Sequence, residues 1–496
     1  LGESKIGVLA VVGAGAMGAG IAQTGLAAGL KVILFDVSAE AVAKARADIA
    51  ARLARLVEKG SAAPEVARAV DERLVTPASL AGLAEADVVI EAIVERLEPK
   101  QALFGQLEEI VSERAILATN TSSLSVAAIG KGCHHPERVC GLHFFNPVPV
   151  MKLVEVVAAP GTSEAVVADA TALCRTLGKT AVRVKDGPGF LVNLGGRAYT
   201  TEALHIEQGG VADCALIDKI MREAAGFRMG PFELMDLTGI DVNFPATNFM
   251  WQGYQADPRL KTAPLHEAMF NAGRYGRKTG QGYFTYGGEA APAPEAPSDD
   301  GRSELQAFAP QAHDGWARLQ KEAGLKLATT DAGGPILITP EGEDALTMAL
   351  RLGLDHRRVV AVDFLGADRK FLTLMAPLGG SGVIAEVEAW LTRRGWSVAL
   401  VKDSPGFVAP RIVACIANLG CEMAQIGVGS PADIDLGMKL GMNYPKGPLE
   451  WATALGPQRT LQIMTSLQAI TGSDRYRPSL WLRRRAMAGL PIDTAD

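Results

Sequence analysis

VLAVVGAGAMGAGIAQTGLAAG, Val8 to Gly29, decides the fold. Five apolar residues suited to a buried strand run straight into GAGAMG, and the small residues beyond continue at helical spacing. A G-x-G-x-x-G string says little in a glycine-rich chain, but after a strand and before a helix it reads as a dinucleotide-binding turn. Gly13, Gly15 and Gly18, with Ala14, Ala16 and Met17 between them, let the amides of a helix expected over 16–28 approach a pyrophosphate closely. Asp36 ends the next strand, VILFD, where a carboxylate accepts from both hydroxyls of an adenosine ribose. It would repel a 2′-phosphate, so the dinucleotide expected is NAD rather than NADP.

Working outward, apolar runs alternate with longer helical patterns from Ile6 to Val184, as in a doubly wound parallel sheet. Strands are expected at 8–12, 32–35, 88–93, 115–118, 139–144, 153–157 and 181–184. After KDGPGF (Lys185 to Phe190) the pattern turns helical as far as GRKTGQGYF, and GGEAAPAPEAPSDDG then reads as a linker without apolar period. Beyond it the chain repeats itself. GKTAVRVKDGPGF, ending at Phe190, matches GWSVALVKDSPGF, ending at Phe407. At the same offset MGPFELMDLTG (Met229 to Gly239) matches KGPLEWATALG (Lys446 to Gly456), and GGVADCALID matches IGVGSPADID. RVCGLHFF (Arg138 to Phe145) resembles RVVAVDFL (Arg358 to Leu365) after a short deletion.

The fold class expected is therefore α/β: a Rossmann-type doubly wound sheet over 1–184, then an all-α domain over 185–287 and a linker over 288–303. A degenerate α/β segment over 304–401 and a second all-α domain over 402–496 complete the chain. A length of 496 residues exceeds one hydrophobic core and suits roughly three or four domains. A net charge of −6 argues against a general nucleic-acid or membrane-surface binder. Six cysteines without a CxxC pair fit a reducing cytoplasm. No apolar run reaches the length of a membrane span. The opening LGESKIGVLAVVGAG lacks a basic stretch before a cleavable apolar one, and the absent initiator Met reads as a trimmed or partial terminus.

In an open parallel sheet, ligands lie beyond the carboxyl ends of the strands. Ser122 follows ILATN, His143 ends VCGLHFF, and Glu155 lies in LVEVV. Oxidising an alcohol with NAD requires removal of the hydroxyl proton as hydride leaves carbon, a task for neutral imidazole. His143 is the expected base, and Glu155 the carboxylate that orients the ring and stabilises its charged form. Cys133, His134, His135 and Cys140 match no usual ligand spacing, so no metal is expected. Glu202 and His205 read as ordinary polar positions on the helix after Asn193, and 226–239 as a connection between helices.

ATNTSSLSV, GLHFFNPVPVMKLVEVV, KDGPGFLVN, MGPFELMDLTG and GRKTGQGYF, in this order after the glycine turn, resemble the L-3-hydroxyacyl-CoA dehydrogenases. The resemblance spans Ile6 to Tyr286, with the helical domain again from Lys402 onward. It implies that His143 and Glu155 act on the 3-hydroxyl of an acyl-CoA, with Ser122 and Asn193 holding the substrate oxygen and acyl group. It also implies that Glu95, Lys100, Asn146 and Lys278 line the NAD site. Arg52, Arg55 and Lys59 share one face of the helix after Asp36, where they could reach CoA phosphates or simply be solvated. Where relatives commonly place an arginine directly after the asparagine, this chain has Leu194-Gly195-Gly196 before Arg197.

The two-copy layout and LTGIDVNF resemble dehydrogenases acting on 3-hydroxyadipyl-CoA in phenylacetate breakdown, with 3-hydroxybutyryl-CoA the runner-up. A free sugar-acid dehydrogenase and a non-catalytic NAD-binding structural protein are the remaining alternatives. In the second copy Asp363 takes the place of His143, Leu372 that of Glu155 and Pro410 that of Asn193, and GGPILITPEGED carries no glycine turn. That copy is expected to bind no NAD and do no chemistry. It would dock on the first through a large apolar interface, as helical domains of single-copy relatives dimerise.

Overall fold

The computed structural model describes residues 6–287 and 304–495, so the expected linker lies outside the described residues. The first sheet holds β1 (Val8–Val12), β2 (Lys31–Phe35), β3 (Leu74–Val75), β4 (Val88–Glu91), β5 (Ile116–Thr119), β6 (Val139–Phe144), β7 (Leu153–Ala158) and β8 (Thr180–Lys185). Its order is β3-β2-β1-β4-β5-β6-β7-β8, a Rossmann-like sheet whose strand order reverses between β1 and β4. The expected strands are present within two residues at each end. β3 is the addition, too short to show a period. β6 and β7 pair antiparallel, against the parallel expectation, because the short link 145–152 leaves no room for a crossover.

One compact unit runs up to Leu194 and takes in Ile426–Met442 from the far end of the chain. Within it the helix Pro431–Met442 packs on β7 and β8, and the Lys185 amide donates to the Val428 carbonyl at 2.8 Å.

The other unit runs from Gly195 to Gln425 and from Asn443 onward. Its sheet holds β9 (Gln306–Phe308), β10 (Lys326–Ala328), β11 (Ile336–Ile338), β12 (Val359–Asp363), β13 (Phe371–Met375) and β14 (Ser397–Leu400), in the order β10-β9-β11-β12-β13-β14. A repeated cap fixes the correspondence between the sheets. Asp186 accepts from the Val126 and Ala127 amides where a helix starts after β5, and Asp403 accepts from the Ala345 and Leu346 amides where one starts after β11. β11 thus answers to β5, while β9 and β10, joined by the helix Asp314–Ala323, answer to β1 and β2. β9 pairs directly with β11, so among the described residues no strand stands for β4. The edges answer too: the Lys402 amide donates to the Val211 carbonyl at 3.0 Å.

These registers correct two assignments. His143 lies across from Glu155 in β6/β7, and Asp363 lies across from Thr373 in β12/β13, so Thr373, not Leu372, answers to Glu155. The stretch from β13 to β14 is one residue shorter than that from β7 to β8, since Glu155 pairs with Val182 and Thr373 with Ala399, and this moves the match. GGPILITPEGED belongs to β11 and the helix after it, so the position of the glycine turn is instead APQAHDG, after β9. There the Phe364 ring stacks on His313 at 4.9 Å and meets Trp316 edge-on, and a Cβ on Gly315 would come within 2.5 Å of it. Burial raises the Asp363 carboxyl to about 6.

Glu202 is not an ordinary polar position. It is fully buried where the helices Arg197–Gln208 and Ala409–Gln425 pack together, and it accepts from Arg411 Nε at 2.6 Å, Arg475 Nε at 2.6 Å and Tyr476 Oη at 2.9 Å. The contact between the two helical copies is thus not purely apolar, because a charge cluster sits at its centre. Burial alone would raise the Glu202 carboxyl, but the two guanidiniums hold it far below the ordinary range. His205, on the same helix, is lowered to about 4 by burial and by Arg475. The segment 226–239 contains a helix of its own, Pro231–Thr238, with Pro231 at its first position.

Candidate active site

The glycine turn divides its labour among three residues. Gly13 lies at φ 111°, and a Cβ there would meet the Ala92 carbonyl at 2.5 Å. Gly18 lets helix and strand close, since its Cβ would fall 1.8 Å from the Gly13 oxygen. Gly15 caps the helix Ala16–Ala27 and faces open space, as backbone approached by a pyrophosphate must. Asp36 at the end of β2 accepts from the Ala14 amide at 2.8 Å and the Ser38 amide at 2.9 Å, which ties the carboxylate to the turn. Ala16 and Met17 begin the helix. The cradle fits NAD.

His143, the fifth residue of β6, is 5% exposed, and its Nδ1 lies 2.5 Å from Glu155 Oε2. Phe145 and Phe190 flank the ring with centroids at 4.5 and 5.6 Å. The other Glu155 oxygen accepts from the Leu191 amide at 3.0 Å and the Val192 amide at 2.8 Å. Both carboxylate oxygens are thus engaged in a fully buried position, and the imidazole is held through Nδ1, so that Nε2 is the nitrogen turned away from the carboxylate. Asn193 follows at once in the short helix Val192–Gly195 and is half-buried.

Ser122 lies exposed after β5, its amide donating to Glu95 Oε1 at 2.9 Å. Glu95 also accepts from the Thr121 and Ser123 hydroxyls at 2.7 and 2.9 Å. Burial would raise its carboxyl, but Thr121, the Ser122 amide and Lys100 hold it at about 2. Lys100, expected to line the NAD site, is instead buried beneath it, with Nζ 2.5 Å from Glu91 and 3.2 Å from Glu95, because two carboxylates hold the ammonium inside. Asn146 is exposed on the link after β6, before a cis Pro147. Arg52, Arg55 and Lys59 are exposed along the helix Ala39–Glu58 and its C-cap. Lys278 belongs to the other unit, where its Nζ lies 2.5 Å from Asp241.

Three supports escaped the sequence reading. Glu91 is a fully buried carboxylate that also accepts from Thr119 Oγ1 at 2.7 Å. Asn120 Oδ1 accepts from the Phe144 amide at 2.9 Å, beside His143. The Leu191 and Val192 amides hold Glu155. Only Glu91 left a signal, a carboxylate inside the apolar run VVIEAIV.

Residues 8–187 match the family model described as 3-hydroxyacyl-CoA dehydrogenase, NAD binding domain. Residues 189–286 and again 406–492 match 3-hydroxyacyl-CoA dehydrogenase, C-terminal domain. The chain is 39% identical over 486 residues to the 3-hydroxyadipyl-CoA dehydrogenase of Escherichia coli K12, covering 97% of this chain and 98% of that protein. It is also 39% identical over 282 residues to a probable 3-hydroxybutyryl-CoA dehydrogenase of Bacillus subtilis, covering 57% of this chain and 98% of that one. A crystal structure of an Escherichia coli K12 3-hydroxybutyryl-CoA dehydrogenase superposes with a TM-score of 0.87 at 38% identity, covering 98% of this chain and 99% of the other. The glycine turn, the buried histidine–glutamate pair and the twice-matched helical domain converge on one assignment: the chain belongs to the 3-hydroxyacyl-CoA dehydrogenase family.

Proposed function

We propose that His143 is the general base of NAD-dependent oxidation of an L-3-hydroxyacyl-CoA to the 3-oxoacyl-CoA. The 2.5 Å contact between His143 Nδ1 and Glu155 Oε2 carries this reading. Bound NAD supplies the hydride acceptor. His143 Nε2 takes the hydroxyl proton, and the imidazolium so formed is stabilised by a carboxylate whose second oxygen two amides already hold. Ser122 and Asn193 hold the reacting oxygen, and Glu95, fixed as an anion over Lys100, positions the Ser122 backbone. The aromatic rings beside His143 keep bulk water from the imidazole.

The acyl group we assign is 3-hydroxyadipyl, a reading that places the chain in phenylacetate breakdown. Similarity along nearly the whole chain to a protein of that name supports it. The name of the superposed crystal structure favours 3-hydroxybutyryl-CoA as the second reading. Steady-state kcat/KM on the two thioesters separates them. At least about tenfold preference for the adipyl ester is expected, and equal values would remove the adipyl assignment.

Arg52 and Lys59 are assigned to the CoA phosphates. With both changed to Ala, KM for the CoA ester should rise about tenfold while KM for NAD stays put, since each exposed ion pair contributes about 0.7 kcal/mol and the two together about 1.4 kcal/mol. An unchanged ester KM would return these residues to a solvated face. Pairing of the two helical copies within one chain would stand in for a homodimer contact. The six cysteines are free, which suits a reducing, cytoplasmic setting. Among the described residues no helix is long and apolar enough to cross a membrane.

A further inference from the structure

The second copy carries neither the histidine nor the glutamate of the first, yet one of its helices lies directly under the residues that hold Glu155. Leu191 and Val192 donate both amides to Glu155 Oε1, and their side chains rest on the helix Pro431–Met442. A Cβ on Gly437 would stand 2.7 Å from Leu191 Cδ2, and one on Gly441 would stand 2.8 Å from Val192 Cγ1 and 3.1 Å from Leu153 Cδ2. Leu153 belongs to β7, the strand that carries Glu155. Gly429, just before the helix, touches Leu191 in the same way at 3.1 Å.

The repeat supplies an internal comparison. At its offset Gly429, Gly437 and Gly441 answer to Ala212, Ile220 and Ala224, so the first copy carries larger residues at all three positions. Glycine within a helix lowers its stability, and two such positions, Gly437 and Gly441, facing one dipeptide are accounted for by close approach.

We infer that Gly437 and Gly441 are positioning residues for the oxidation: the second copy sets the height of the Leu191–Val192 backbone and thereby the aim of Glu155 at His143. The inference rests on His143 being the base. A methyl on Gly441 meets both methyls of the stiff, branched Val192 and so presses on the dipeptide and on Leu153 of β7, whereas one on Gly437 meets the flexible end of Leu191 and adds a smaller push; strain on the dipeptide lengthens the amide bonds that hold the carboxylate.

The test is G441A and G437A/G441A in the full chain, with H143Q alongside. Added helix propensity offsets part of the crowding in both variants. Expected are a kcat lower by about tenfold to a hundredfold, an NAD Kd within about twofold of the parent, and an acid limb of the oxidation profile displaced to lower pH. The displacement follows because an imidazolium deprived of its carboxylate gives up its proton more readily. V192A placed in G441A, which removes the crowded methyls, should return kcat and the profile toward the parent. Parental kcat and profile in both folded variants would overturn the proposal, as would a drop in Tm and kcat with an unmoved acid limb. Turnover persisting in H143Q would instead sink the catalytic reading itself.

Discussion

His143→Gln is expected to lower kcat about a thousandfold while NAD binds as before. Glutamine can still donate to Glu155, so the 2.5 Å contact with Oε2 has a substitute and the strand need not shift. What glutamine lacks is a basic lone pair near neutral pH, and general base catalysis contributes on the order of a hundredfold to ten-thousandfold. The glycine turn and Asp36 are elsewhere on the sheet, so Kd for NAD from fluorescence titration should move by less than about twofold. Normal turnover in H143Q would remove the base from this site. A large loss of NAD affinity would mean that the substitution had disturbed the sheet rather than the chemistry.

The second large effect concerns stability. Glu202→Gln leaves Arg411 and Arg475, 7% exposed each, facing a neutral amide in a buried contact. Removing one partner of a buried ion pair costs about 3–5 kcal/mol, because the remaining charge keeps its desolvation penalty and loses its compensation. At the offset of the repeat Glu202 answers to Leu419, so L419M, a volume-conserving change in the same helical layer, should cost under about 1.5 kcal/mol. Denaturant unfolding of the two variants makes the comparison, and equal losses would refute the special role of the cluster. The parent's pH dependence has a definite sign. Because the folded carboxyl lies below its unfolded value of about 4.3, its stabilisation is complete above that value and drains away as pH falls below it. E202Q should therefore flatten the acid side of the stability curve.

Much of the first sheet was legible because its signals are local. A strand, a glycine turn and a helix follow one another within Val8–Ala27, and β6 is bounded as its apolar run suggests. The histidine–glutamate pair was legible for the same reason: two polar residues interrupt apolar strands, and a short link forces those strands together. What stayed hidden depends on distant partners. Glu202 looks like any helical glutamate until Arg411 and Arg475, far along the chain, close on it. The Leu191 and Val192 amides carry no side-chain signal at all, and backbone donors seldom do. The counterpart of Glu155 was displaced by one residue because strand register, not sequence spacing, fixes which side chains face each other.

The segment Ile426–Met442 also bears on how the molecule is made. The first compact unit needs it on β7 and β8, yet more than two hundred residues of the other unit are translated in between. At about 5–20 residues per second the emerging N-terminal sheet waits on the order of ten to fifty seconds for its last helix. During that interval the β8 edge, later joined at Val428, is open to whatever the ribosome's surroundings offer.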